Sequence, residues 1–163
     1  MWADQSGWSG SKASDVVVPG KYLFESQPAV LSRVSQAMVP LIPNEADLLA
    51  GLELGGVPIA TAISLATGRP TVFVRKQAKA YGTRRLAEGA DVEGKKVVLI
   101  EDVITTGGAV RNAALALRER GAMVDLVVCA IDRSSAGVRP LQDIGIEIRS
   151  VLTRQDLEKA SRA

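Results

Sequence analysis

The chain has 163 residues, 47% of them hydrophobic, and 20 Lys and Arg against 18 Asp and Glu leave a net charge of +2. That suits one domain with a sizeable core, excludes a disordered chain, and gives no general case for nucleic-acid binding. There is no histidine to act as a base or metal ligand, and the single cysteine, Cys129 inside "LVVCAI", excludes an intrachain disulfide and reads as a buried, inert thiol.

Residues 1–19 are polar and without period, and read as a loose N-terminal arm before a single domain at 20–163. No apolar run reaches the roughly 18 residues that span a bilayer, and the N-terminus lacks the layout of a signal peptide. A cytoplasmic protein without membrane contact is expected. "PAVLSRVSQAMV" (28–39) repeats apolar residues at helical spacing behind a proline suited to a first turn. "ADLLAGL" (46–52) is a short apolar strand. "VPIATAISLAT" (57–67) is a helix that stops at Gly68, and "PTVFVR" (70–75) is a β-branched strand.

About twenty residues (76–95) then lack a core pattern, and a stretch that long in a compact domain is commonly a functional, mobile loop. It opens with "RKQAKAYGTRR" (75–85), five basic residues and no acid. "KVVLIED" (96–102) is a strand, and "AVRNAALALRER" (109–120) a helix capped by Gly121. "MVDLVVCAI" (123–131) is a strand, "GVRPLQDI" suggests a short helix, and "IEIRSVL" (146–152) is the last strand. Strands alternate with helices, and three of the five strands are continuously apolar. The fold class is α/β, a parallel five-stranded sheet flanked by helices. Ligands of such sheets bind beyond the carboxyl ends of the strands, near the switch in strand order.

"VVLIEDVITTGG" (97–108) concentrates the chemistry. A buried strand runs into two carboxylates, then hydroxyls and glycines open a helix. The first turn of a helix offers unpaired N–H groups and the positive end of its dipole, so Thr105, Thr106, Gly107, Gly108 and Ala109 form a candidate phosphate cradle. Neither a Walker loop nor a GxGxxG fingerprint is present. The glycines alone fit an ordinary strand-to-helix turn equally well. Glu101 and Asp102 shift the balance, because adjacent acids at a buried strand end are costly unless a ligand uses them. They could accept hydrogen bonds from sugar hydroxyls or meet Mg2+ through water. Sugar hydroxyls, phosphate and magnesium together describe a ribose phosphate.

"VVLIEDVITTGGA" resembles the phosphoribosyl pyrophosphate (PRPP) signature of type I phosphoribosyltransferases. "RKQAKAYG" after an apolar strand further resembles the mobile catalytic loop of the orotate phosphoribosyltransferases. The likeness covers roughly residues 20 to 135. It implies that Glu101 and Asp102 bind the ribose 2- and 3-hydroxyls. The stretch from Val103 and Ile104 through Thr105, Thr106, Gly107, Gly108 and Ala109 would hold the 5-phosphate, with Thr105 also near the base. Arg75, Lys76, Lys79 and Tyr81 would meet pyrophosphate, some from a neighbouring subunit, with Lys79, Glu101 and Asp102 as catalytic residues. Leu54 and Gly55 would touch pyrophosphate through their backbone. Lys21 and Arg133 would bind orotate, with Tyr22 or Phe24 packed on its ring. Mg2+ would arrive on PRPP with no direct protein ligand, and a homodimer would share its active sites. Two departures stand out. Tyr81 occupies the place of a histidine and cannot carry its positive charge. Residues 1–19 do not read as the helix that normally precedes Lys21, so the N-terminal hood looks reduced.

The physics of the reaction agrees. Loss of pyrophosphate leaves an electron-poor sugar, and the protein must position the nucleophile, neutralise departing charge and exclude water. The bland readings are a solvated basic face for Lys76 and Lys79 and a surface ion pair for Arg133. Transfer to another base, or a PRPP-sensing regulator with little turnover, remain alternatives to transfer onto orotate.

Overall fold

The structure, a computed structural model, describes residues 23–76, 87–135, 137 and 139–162. Among them the helices are α1 (Leu23–Ser26), α2 (Pro28–Met38), α3 (Gly56–Thr67), α4 (Gly108–Arg118) and α5 (Arg154–Ser161). The strands are β1 (Leu48–Leu52), β2 (Thr71–Val74), β3 (Ala87–Gly89), β4 (Lys96–Ile104), β5 (Met123–Asp132) and β6 (Glu147–Thr153).

The sheet order is β3-β2-β1-β4-β5-β6. Every neighbouring pair is parallel except β2 and β3. The five expected strands form its parallel part. A sixth, β3, extends one edge, so the sheet has six strands and not five. Three residues are too few to show an alternation, which is why β3 escapes pattern reading. Ala87 and Val92 are nonetheless buried. The second half of the stretch read as a coreless loop therefore contributes to the core, and residues 77–86 lie outside the described residues.

Alternation along the central strands sends side chains to two cores. Leu48, Ala50, Leu52, Val97, Leu99, Val127 and Cys129 pack with α4 through Val110, Ala113, Ala114 and Leu117. Leu49, Val98, Ile100, Leu126, Val128 and Ala130 pack with α2 and α3 through Val34, Met38, Ile59, Ala60 and Ile63. Helices on both faces explain the continuously apolar strands, since each parity of side chain meets a core.

After β2 the chain returns to the other side of β1 to lay down β4. Strand order thus reverses between β1 and β4, and their carboxyl ends flank the crevice where ligands of open parallel sheets bind. α5 was not anticipated. It starts at a capping box in which Thr153 accepts from the Asp156 N–H and the Asp156 side chain returns a bond to Thr153.

Candidate active site at the β1–β4 crevice

Two glycines let the β1 loop press against β4. A methyl carbon on Gly55 would overlap Oδ2 and Cγ of Asp102 and stand 2.8 Å from its Cβ. One on Gly56 would overlap the Ile100 carbonyl oxygen. Gly55 has φ −65° and ψ −33°, so close approach, and not backbone conformation, demands glycine there. The Glu53–Leu54 peptide bond is cis. Glu53 ties this loop to the cationic segment: its N–H donates to Val74 O (2.8 Å), and its carboxylate accepts from Lys76 N–H (3.0 Å). Sequence reading missed this anchoring role, although "GLELGG" displays the acid.

Across the crevice, strand parity points Glu101 to the α4 face and Asp102 to the α3 face. Asp102 N–H donates to Glu101 Oε1 (2.9 Å) and Val103 N–H to Asp102 Oδ1 (2.7 Å). Glu101 is 7% exposed. Burial, reinforced by the neighbouring Asp102, raises its pKa to about 9, with Lys76 pulling weakly the other way. At neutral pH the ligand-free pair therefore offers a protonated donor beside an acceptor, the complement of a diol.

The cradle follows at once. Gly107 adopts φ +74°, a left-handed conformation that favours glycine, and caps α4. The first N–H to bond back into the helix belongs to Arg111, on Gly107 O at 2.9 Å. The N–H groups of Gly108, Ala109 and Val110 precede that bond and face the helix's positive end. Thr105, Thr106, Gly108 and Ala109 are exposed, so an anion can reach them. Arg111 braces the cradle from behind by donating to both oxygens of Asp143 (2.8 and 2.6 Å) and to Pro140 O (2.9 Å).

Arg133 stands beside this turn because the ends of β4 and β5 are in register at Ile104 and Asp132, and Arg133 N–H donates to Ile104 O at 2.8 Å. Asp132 shapes the turn by accepting from Ser134 N–H (2.9 Å) and Ser134 Oγ (2.7 Å). The Arg133 side chain is left exposed. Arg75 and Lys76 line a cleft of about 210 Å3 with Glu53, Ala109 and Asn112. The structure thus gathers Leu54, Gly55, Arg75, Lys76, Glu101, Asp102, residues 103–109 and Arg133 at one end of the sheet. Lys21, Tyr22, Lys79 and Tyr81, and the side chain of Phe24, lie outside the described residues.

A mostly parallel sheet whose strand end carries paired acids into an open helix turn fits the architecture of a pentosyl-phosphate transferase, and the chain belongs to the phosphoribosyl transferase domain family, whose model matches residues 25–148. Within that family it is similar to a Nocardioides sp. protein named orotate phosphoribosyltransferase, 61% identical over 155 residues, covering 95% of this chain and 86% of the relative. A Methanocella arvoryzae protein of the same name is 40% identical over 149 residues, covering 91% and 84%. Among solved structures, Mycobacterium tuberculosis orotate phosphoribosyltransferase in complex with PRPP superposes with a TM-score of 0.70 at 30% identity, covering 83% of this chain and 80% of that one.

Proposed function

We propose that this protein transfers the phosphoribosyl group of PRPP to a ring nitrogen of orotate, releasing orotidine 5-phosphate and pyrophosphate, as a step of pyrimidine nucleotide synthesis. The observation that carries the reading is the crevice itself, where the carboxyl pair Glu101 and Asp102 ends a buried strand and the open helix turn 105–109 follows two residues later.

In this reading the N–H groups and hydroxyls of 105–109 bind the 5-phosphate, and Glu101 and Asp102 bind the ribose hydroxyls. Those two anchors fix the sugar. Leu54 and Gly55 present backbone to the pyrophosphate, while Arg75, Lys76, Lys79 and Tyr81 neutralise or bond its departing charge. Arg133 offers a planar fork of parallel donors to the orotate carboxylate or imide edge, with Lys21 assisting.

Among the described residues no cluster of three or more acids and thiols is spaced to hold a metal ion. The hard oxygens of Glu101 and Asp102 suit Mg2+ carried by PRPP and met through water. When bound, the ion screens the pyrophosphate charge. We further propose a homodimer with shared active sites and residues 20–163 as one catalytic domain. No helix among the described residues is long and apolar enough to cross a membrane, which agrees with cytoplasmic action.

The test is spectroscopic. Orotate absorbance should fall when protein, PRPP and Mg2+ are mixed, with equimolar pyrophosphate released. Unchanged orotate but pyrophosphate release with a different base would reassign the acceptor. PRPP binding without release from any base would make the protein a sensor.

A further inference from the structure

We propose that Glu25 is a positioning residue for the ribose diol, its buried carboxyl hydrogen-bonded to Asp102 and holding that side chain where it receives a sugar hydroxyl. The inference deepens the phosphoribosyl reading and rests on it.

Glu25 lies on α1, far in sequence from the strand-end motif, and nothing in its context marks it as functional. Yet it is only 8% exposed, and neither carboxyl oxygen meets a donor on another described residue. Buried polar groups are nearly always paired, so an unpaired carboxyl at the edge of a ligand crevice calls for a cause. The one other side chain that acts on it is the Asp102 carboxyl, through hydrogen bonding and charge. Two ionised carboxylates are acceptors only and cannot satisfy one another, but a single proton between them makes one a donor. Burial, with Asp102 adding to it, raises the proton affinity of Glu25 to a pKa of about 7. The charged group that acts on Glu25 is Asp102 on β4, which itself neighbours Glu101 on the same strand end.

Geometry shows why such a brace matters. Asp102 is pinned on one side by Gly55, which leaves no room for a side chain between them. Its Oδ1 is engaged by Val103 N–H at 2.7 Å. A contact from Glu25 would complete the set and leave one direction open, toward the crevice. The carboxyl acts here as a neutral donor, a task that a glutamine amide also performs and an alkyl side chain does not.

The full-length protein with Glu25→Ala and with Glu25→Gln tests this, using initial rates with PRPP and orotate and calorimetry with ribose 5-phosphate and inorganic phosphate. Loss of one charge-assisted bond predicts that the alanine variant raises the PRPP KM and weakens ribose 5-phosphate about tenfold. Inorganic phosphate affinity, kcat and the orotate KM stay near wild type. Glu25→Gln restores PRPP KM to within about threefold of wild type, because its amide still donates. Should the alanine variant fail to fold, Glu25→Met, which fills the space without a donor, replaces it with the same expectation. An unchanged PRPP KM, a parallel fall in phosphate affinity, or a glutamine variant no better than alanine would overturn the proposal. Wild-type protein that binds neither PRPP nor ribose 5-phosphate would instead overturn the reading beneath it.

Discussion

Gly55→Ala is the most pointed perturbation of the crevice. The backbone at Gly55 is one that alanine adopts freely, so any effect must come from the added methyl. That methyl would overlap the Asp102 carboxyl and approach its Cβ to 2.8 Å, where ordinary contact lies at 3.4–4 Å. Asp102 is only partly buried, so its side chain swings away before the sheet yields. Overpacking of this kind costs about 1–3 kcal/mol, or a fall in Tm of about 2–10 °C for a chain of this size. Displacing Asp102 also removes a hydrogen bond between a charged group and the diol, worth about 1.5–3 kcal/mol, which raises the PRPP KM about tenfold to 150-fold. Phosphate affinity should hardly move. Calorimetric melting and initial-rate kinetics read these effects, and a cycle with Asp102→Ala isolates the cause. Asp102→Ala removes the overlap with Oδ2 and Cγ and leaves the 2.8 Å approach, so Gly55→Ala should cost less in that background. Equal costs in both backgrounds, or a wild-type PRPP KM for the single variant, would refute the steric argument.

Three further outcomes follow from the site. Glu101 binds its proton more tightly folded than unfolded, so stability falls as pH rises between 4.5 and about 9, by up to about 1.4 kcal/mol per unit. Glu25 contributes only up to about pH 7, so Glu101→Gln should flatten the slope between pH 7 and 9 in chemical denaturation of the ligand-free protein. Gly107→Ala forces a left-handed conformation and brings a methyl to 3.1 Å from Leu141. It should destabilise the fold by about 1–2 kcal/mol and weaken inorganic phosphate binding, as read by melting and titration. Arg133→Ala should raise the orotate KM about tenfold or more while leaving PRPP affinity unchanged in calorimetry.

What could be read before the fold was known has a physical pattern. β4 announced itself because a strand buried on both faces needs continuous apolar residues, and its acids stood out against that background. The cradle was legible because its chemistry is local, carried by Thr105 to Ala109 on consecutive residues. Arg133 was nominated through family likeness, and its nearness to Thr105 comes from the β4–β5 register. Long-range packing hid the rest. β3 is too short to show a period, and it holds its place by pairing with β2. The closeness of Gly55 to Asp102 joins segments that only the sheet order brings together. α5 was within reach, since "TRQD" places an N-cap threonine three residues before an acid, but its weakly apolar face hid it. Glu53 looked like an ordinary loop acid until the fold placed it against Lys76 N–H.

The central claim is that the end of β4 holds a phosphorylated ribose by its phosphate and its diol together. Calorimetric titration of the folded protein with PRPP and Mg2+ tests it most directly, with ribose 5-phosphate and 2-deoxyribose 5-phosphate as competitors. The account predicts saturable binding of PRPP, displacement by ribose 5-phosphate, and displacement at least about tenfold weaker by the deoxy sugar, which lacks one bond to the carboxyl pair. Absence of heat with PRPP, or equal competition by the two sugars, would contradict it.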